Sequence, residues 1–144
     1  MKREKETNII FRVDKTLKEE FRLYFNMDMT KKIISLMEKA LKDEKYNVYY
    51  PFLEEMKDNR YAASAFATAI DDIYYYKSNG NDDLKMVESV KHLLSEKFEV
   101  KESVTEQFLE NIYFNTYKGD YELMYSHKQS IIDTINEITY GKDI

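Results

Sequence analysis

The most constraining feature of this sequence is the stretch over residues 7–45, where one short strand pattern is followed by two helix patterns. Apolar and polar residues alternate at its start, so one face of an extended strand would carry Ile9, Phe11 and Val13. A single strand cannot satisfy its own backbone hydrogen-bonding groups, and a unit of this length can barely bury a core. The stretch therefore predicts a second copy, with two strands paired antiparallel across a two-fold axis.

Two amphipathic helices are predicted to follow the strand. Asp14 suits the N-cap of the first and Thr30 the N-cap of the second, because their side-chain oxygens accept hydrogen bonds from the free N–H groups of a helix start. Apolar residues recur at helical spacing in both segments. They are Leu17, Phe21, Tyr24 and Phe25 in the first, and Ile33, Ile34, Met37 and Leu41 in the second.

This order of patterns resembles the ribbon-helix-helix family of DNA-binding proteins. The resemblance lies in the alternating segment NIIFRVD, in KTLKEEF behind its acidic cap, and in the short turn into MTKKIISLMEKAL. It covers residues 7–45 and implies an intertwined dimer with one short strand and two helices per chain. The family often has Gly before the Ser or Thr of its turn, whereas Met27, Asp28 and Met29 precede Thr30 here.

The resemblance implies that the exposed side chains of the strand, Asn8, Ile10 and Arg12, read DNA bases. A two-stranded ribbon fits the major groove, where Arg donates two bonds to guanine, Asn pairs with an adenine edge and an apolar side chain packs on a thymine methyl. Phosphate contacts are expected at the start of the second helix, where the helix dipole favours an anion, and from a basic N-terminal arm. These phosphate-binding residues are Thr30, Lys31, Lys32, Lys2, Arg3 and Lys5.

Charge is divided unevenly along the chain. The whole sequence carries a net charge of -5, but residues 1–45 hold 12 Lys and Arg against 9 Asp and Glu, a net of +3. Residues 46–144 therefore carry -8. This asymmetry favours a basic binding head on an acidic body.

Residues 46–144 predict an all-helical domain for oligomerisation or partner binding. Pro51 follows YNVYY and predicts a junction before a new helix. A capping box at Ser103 and Glu106 predicts the start of another helix. Three consecutive residues, Tyr74, Tyr75 and Tyr76, cannot all face one core, so at least one should reach the surface or a partner. The helical patterns cover residues 51–77 with a break near residue 58, residues 82–98, and residues 120–140.

Several classes of function are disfavoured by composition. The chain has no Cys, no apolar run long enough for a membrane and no signal-peptide core after its first residues, which favours a cytoplasmic protein. The two histidines, His92 and His127, have no partners at catalytic or metal-binding spacing, and Ser126 beside His127 lacks an acid. With three glycines there is no phosphate-binding loop. The sequence thus predicts neither an enzyme nor a metal or cofactor site.

These observations predict a mostly α protein that binds double-stranded DNA sequence-specifically, with a ribbon-helix-helix module in residues 1–45 and a helical domain in residues 46–144. Two-fold symmetry predicts a palindromic or repeated site, and the helical domain could join dimers into a dimer of dimers or bind a protein partner. The resemblance implies a plasmid or mobile-element role, as an accessory factor of a relaxosome at a transfer origin or as a transcriptional repressor. A partition or copy-control factor is a lesser alternative. The rival class is a helical scaffold protein whose ribbon serves only to dimerise.

Overall fold

The computed structural model describes residues 8, 10, 12–25 and 29–141, and all the regular structure within them is helical. No helix in this part of the chain is long and apolar enough to cross a membrane. A 3-10 turn at Glu54–Met56 and a π-helix at Leu109–Thr116 supplement the α-helices. The seven α-helices are α1 Lys15–Phe25, α2 Met29–Leu53, α3 Ala62–Ser78, α4 Asp83–Phe98, α5 Glu102–Phe108, α6 Tyr121–Ser126 and α7 Lys128–Tyr140.

The predicted ribbon-helix-helix fold is wrong, because the described residues form no β-strand. Asn8, Ile10 and residues 12–14 lie outside regular secondary structure, and Ile9 and Phe11 of the predicted strand lie outside the described residues. Alternating apolar and polar residues would give an extended segment one apolar face, but they do not by themselves form a strand. The strand itself needs backbone hydrogen bonds from a neighbouring strand, and the described chain supplies none. The mixed strand-and-helix prediction is thus replaced by an all-helical fold.

The chain forms two compact units, Met1–Leu41 and Lys42–Ile144, and the division falls within α2. In the first unit, the carboxylate of Asp14 accepts a hydrogen bond from the backbone N–H of Leu17 at 3.2 Å, so the predicted cap of α1 is confirmed. The different functions predicted for residues 1–45 and 46–144 stay predictions.

Helix α2 continues past Pro51 and ends at Leu53, so the junction predicted at this proline is wrong. Proline lacks a backbone N–H and disrupts a helix interior, but Pro51 lies in the last turn, where little helix remains to be lost. The same turn carries the buried side chains of Tyr49, Phe52 and Leu53. Their burial favours continuation of the helix over the local preference of the proline.

Three phenylalanines form the centre of the second unit. Phe52 of α2, Phe66 of α3 and Phe108 of α5 are fully buried, and their ring centroids lie 4.7 to 5.6 Å apart. Helix α3 contacts α4, α6 and α7, and small buried residues on it, including Ala65 and Ala69, allow this close approach. The core of this unit is therefore arranged around α3 and the phenylalanine cluster.

Helix ends in the second unit agree only partly with the sequence. Helix α4 has the predicted range, with Asp82 accepting a bond from the Lys85 N–H at 2.9 Å. The predicted capping box at Ser103 is wrong, because α5 already begins at Glu102 and has no side-chain cap bond. The helix predicted over residues 120–140 is divided into α6 and α7 at His127.

Removing one ring of the phenylalanine cluster should show how strongly this unit depends on it. We expect Phe66→Ala to lower the free energy of unfolding by about 3–5 kcal/mol, because it removes buried apolar surface and leaves a cavity. Urea denaturation followed by circular dichroism measures this change. Tyr61→Ala is the control, since Tyr61 is 55% exposed and should change stability little. Equal losses for the two variants would contradict the assigned core.

Candidate functional site

The N-terminal unit, Met1–Leu41, has no buried side chain among its described residues. On the helices within this unit, seven large apolar side chains are between 42% and 77% exposed. Large exposed apolar side chains concentrated in one short unit are more typical of an interaction site than of an ordinary protein surface. The seven are Leu17, Leu23, Tyr24 and Phe25 on α1, and Leu36, Met37 and Leu41 on α2; we call them the N-terminal apolar side chains.

An aromatic pair at the end of α1 lies beside a basic side chain of α2. The rings of Phe21 and Phe25 lie 4.5 Å apart at the end of α1. The ammonium group of Lys32, in the first turns of α2, lies 4.7 Å from the centroid of the Phe25 ring. This cation–π contact is worth about 0.5–1 kcal/mol at an exposed site. It holds a cationic group near the start of α2.

The residues predicted to read DNA bases are accessible in the structure. Asn8 and Arg12 are exposed, and Ile10 is 89% exposed. All three precede α1 and lie outside regular secondary structure, so they are not the paired-ribbon residues that the sequence predicted. Their role in DNA recognition stays a prediction.

The residues predicted to bind phosphate are only partly described. Thr30, Lys31 and Lys32 lie in the first turns of α2, and Thr30 and Lys31 are exposed. Met29 already belongs to α2, so Thr30 lies inside the helix rather than at its N-cap. The basic arm, Lys2, Arg3 and Lys5, lies outside the described residues. Only one of the two predicted sets of phosphate-binding residues thus lies within the described residues, and its role stays a prediction.

In the second unit, the neighbouring pair Ser126 and His127, which the sequence disfavours as a nucleophilic site, contacts two different partners. The Ser126 hydroxyl donates to the Leu123 carbonyl at 2.7 Å, whereas His127 Nδ1 lies 2.9 Å from the Tyr117 hydroxyl. The two side chains are therefore engaged with separate groups. Within the described ranges, no group of three or more His, Cys, Asp or Glu is arranged to hold a metal ion.

Burial affects the hydroxyl groups of several tyrosines in this unit. The Tyr113 hydroxyl donates to the Gly119 carbonyl at 3.0 Å, and burial raises the pKa of Tyr113 to about 12. Burial also raises the pKa of Tyr49 and of Tyr117 above the ordinary tyrosine value. The Tyr113 hydroxyl is therefore a hydrogen-bond donor within the core rather than a base.

Another set of tyrosines lies at the surface. Tyr74 is half-buried and packs against Tyr125 with ring centroids 4.4 Å apart, whereas Tyr75 is 63% exposed. The prediction that at least one of the three consecutive tyrosines reaches the surface is confirmed. Tyr76 is half-buried and lies 5.6 Å from Tyr75 between ring centroids. We call these four residues the tyrosine surface.

Polar contacts between helices were not predicted from the sequence, and the one between Asp72 and Ser89 is an example. The Ser89 hydroxyl on α4 donates to the Asp72 carboxylate on α3 at 2.8 Å. The 17-residue separation matches no local motif, so only the packing of α3 against α4 brings the two side chains together. Burial raises the pKa of Asp72, and the hydrogen bond from Ser89 opposes this effect.

No family model, no curated protein and no solved structure matches this sequence. The ribbon-helix-helix resemblance is therefore contradicted twice, by the family comparison and by the lack of a strand in the described residues. Inferences about function rest on the residues and contacts of this chain alone.

The pKa of Asp72 predicts how its substitution depends on pH. Because the folded state raises this pKa, the stabilisation linked to Asp72 is fully present below the unfolded pKa of about 3.9 and is lost as pH rises through the folded value. We expect Asp72→Asn to raise the free energy of unfolding at pH 7 and to change it little at pH 3. Urea denaturation at both pH values measures the difference.

Ser89→Ala provides the opposing control for this prediction. It removes the donor that favours the ionised carboxylate, so it should destabilise the protein more at pH 7 than at pH 3. A stability change for Asp72→Asn that is the same at both pH values would show that desolvation of this carboxylate does not affect folding.

Proposed function

We propose that this protein binds double-stranded DNA in a sequence-dependent manner through a self-associated N-terminal unit, and that its second unit makes protein contacts. One observation carries the proposal: a single short segment holds both the uncovered N-terminal apolar side chains and a net charge of +3, in a chain whose net charge is -5. The first property requires a protein partner, and the second favours a polyanion. A dimeric DNA-binding head satisfies both requirements.

Self-association is supported by the helices of this unit. Neither α1 nor the part of α2 within this unit has a buried residue, so both gain little from packing of an apolar face, which is the source of most helical stability. A second copy offers the same apolar surface. Helix α1 carries charges of both signs, with Lys15, Lys18 and Arg22 beside Glu19 and Glu20, and its net charge of +1 leaves little repulsion between two copies.

DNA binding is supported by charge and exposure. Residues 1–45 carry +3 against -8 in the rest of the chain, and dimerisation would double the positive charge near one DNA site. Arg12 is exposed before α1, and Lys31 is exposed near the start of α2. Segments that precede a helix can enter a DNA groove as extended arms. We therefore assign base contacts to Asn8, Ile10 and Arg12 without a paired ribbon.

Phosphate contacts are assigned to Thr30, Lys31 and Lys32, with Lys2, Arg3 and Lys5 as an additional basic arm. Phosphate contacts position a protein on the duplex, whereas base contacts specify the sequence. A two-fold dimer would bind a palindromic or repeated site. The genomic position of such a site, at a promoter, a transfer origin or a partition locus, would distinguish the repressor, relaxosome and partition roles.

The second candidate is a helical interaction protein whose N-terminal unit only self-associates. It is favoured by the charge of -8 on residues 46–144, which repels DNA. The uncovered N-terminal apolar side chains fit this candidate equally well, since they require only a protein partner. DNA binding is what distinguishes the two candidates.

Selection of binding sites from random duplex DNA tests the proposed DNA binding. We expect a short inverted or repeated motif, and a Kd that rises steeply with salt because counterions are released. Arg12→Ala should cost about 1–3 kcal/mol and relax specificity at one base position, whereas Lys31→Ala should weaken all sequences alike and reduce the salt slope by about 1. Fluorescence anisotropy with selected and scrambled duplexes measures both effects.

Lys97→Ala is the matched control for these variants. Lys97 is an exposed lysine on α4 of the second unit, so its removal should leave DNA affinity nearly unchanged. Equal affinity of wild type, Arg12→Ala and Lys31→Ala for the selected duplex would exclude the assigned contacts. Recovery of no motif would favour the interaction protein.

Self-association of the N-terminal unit has its own test. We expect Leu17→Glu to weaken dimerisation by about tenfold or more, because it places a charge in an apolar interface. Sedimentation equilibrium of the full-length protein over a range of concentrations measures the dissociation constant. Glu20→Gln is the control, since it changes an exposed side chain on the same helix with little change in size and without altering its apolar side chains. An unchanged dissociation constant for Leu17→Glu would place the interface elsewhere.

A further inference from the structure

We infer that Asn79 and Gly80, in the turn between α3 and α4, form a site of spontaneous deamidation, and that opening of the last turn of α3 controls its rate. Deamidation converts the side-chain amide of an asparagine into a carboxylate and needs only water and hydroxide as reactants. The site lies in the second unit, so it depends neither on DNA binding nor on self-association of the N-terminal unit.

Sequence and exposure identify the two reacting groups. Asn79 is the only asparagine of the chain that precedes a glycine, and both residues are exposed. Glycine has no Cβ, and no other described part of the chain lies within 4 Å of the place where a Cβ on Gly80 would be. The backbone nitrogen of Gly80 is therefore open to close approach by the Asn79 side chain.

The reaction at this site has two steps. Hydroxide removes the proton from the Gly80 nitrogen, which forms a bond to Asn79 Cγ. The bond from Cγ to Nδ2 breaks, and Nδ2 takes a proton from water and leaves as ammonia. Water then adds to either carbonyl of the resulting succinimide ring and opens it. The products are aspartate, with the original main chain, and isoaspartate, in which the main chain runs through the former side chain.

The closed turn keeps both reacting groups engaged elsewhere. Asn79 Nδ2 donates to the Tyr75 carbonyl at 2.6 Å, so the leaving amide is bound to the end of α3. The Gly80 N–H donates to the Lys77 carbonyl at 3.1 Å, so the proton that must be removed is also engaged. Attack on Cγ requires both bonds to break. The reaction therefore proceeds from the state in which the last turn of α3 has opened.

Two further contacts decide how readily this turn opens. The Asn81 N–H donates to the Tyr76 carbonyl at 3.1 Å, and with the bond from Gly80, whose φ is 82°, it forms a Schellman motif. The ammonium group of Lys77 lies 2.7 Å from the Asp83 carboxylate and links the last turn of α3 to the first turn of α4. Loss of this ion pair should increase the population of the open turn.

Deamidation should weaken the end of α3 permanently. A carboxylate at position 79 has no proton to donate to the Tyr75 carbonyl, and its charge lies beside the negative end of the helix dipole. The Ser78 hydroxyl donates to the same carbonyl at 3.2 Å, so part of the capping remains. The weakened turn is the one that carries Tyr75 and Tyr76 of the tyrosine surface.

Mass spectrometry of peptides from the full-length protein, incubated at mildly alkaline pH, tests the site. We expect the mass gain of an amide-to-acid change on the peptide that contains Asn79, at a rate that rises with pH. The same chain unfolded in guanidinium chloride should react about tenfold faster or more, because both protecting hydrogen bonds are lost. Asn79→Gln should abolish the gain, since its longer side chain would have to close a larger ring. No gain at Asn79 in the folded protein would overturn the assignment.

A matched pair of variants separates local opening from global unfolding. Lys77→Gln should raise the rate about twofold to fivefold, because it removes the ion pair with Asp83. Lys91→Gln is the control, since the 3.0 Å pair of Lys91 and Glu106 has similar exposure but joins α4 to α5. Its rate should equal that of wild type. Equal acceleration by both variants, or none by Lys77→Gln, would show that the last turn of α3 does not control the reaction.

Asn79→Asp imitates one product and tests the consequence for the fold. We expect its midpoint of thermal unfolding, followed by circular dichroism, to fall by a few degrees relative to wild type. Incubated wild-type protein that has gained the negative charge, isolated by ion exchange, should show a lowered midpoint as well. Unchanged midpoints in both samples would contradict the weakening of α3.

Discussion

The contact among Phe52, Phe66 and Phe108 is the interaction on which the second unit depends. Each ring comes from a different helix, so the cluster joins α2, α3 and α5 over large separations in the sequence. Aromatic rings contribute large buried areas, and edge-to-face pairs add about 0.5–1.5 kcal/mol beyond burial. The end of α2 is packed in this core, and the burial of its side chains favours a helix that continues past Pro51.

The N-terminal unit lacks such an interaction, and its proposed function follows from that lack. Helix α1 and the part of α2 within this unit are amphipathic, yet none of the described side chains there is buried. A helix pair of this size gains stability only when its apolar side chains are covered. In the proposed dimer, the positive charges of two copies lie close together, which strengthens their attraction to DNA.

Tyrosine has two distinct roles in the second unit, and the environment of the hydroxyl decides between them. Tyr113 directs its hydroxyl at a backbone carbonyl and is buried, so it contributes to the core. Tyr75 has the same side chain but lies on the outer face of α3, where its ring is available to a partner. Composition alone cannot make this distinction, since both residues lie in apolar helical patterns.

The sequence by itself determined the features that arise between near neighbours along the chain. The cap at Asp14, the range of α4 and the outward position of at least one residue of the tyrosine triplet follow from three- and four-residue spacing. Only tertiary structure decided whether the alternating N-terminal segment formed a strand, whether Pro51 ended a helix, and that Asp72 meets Ser89. The physical reason is distance along the chain. Strand pairing, core burial and contacts between helices depend on residues far away in sequence, whose positions no local pattern specifies.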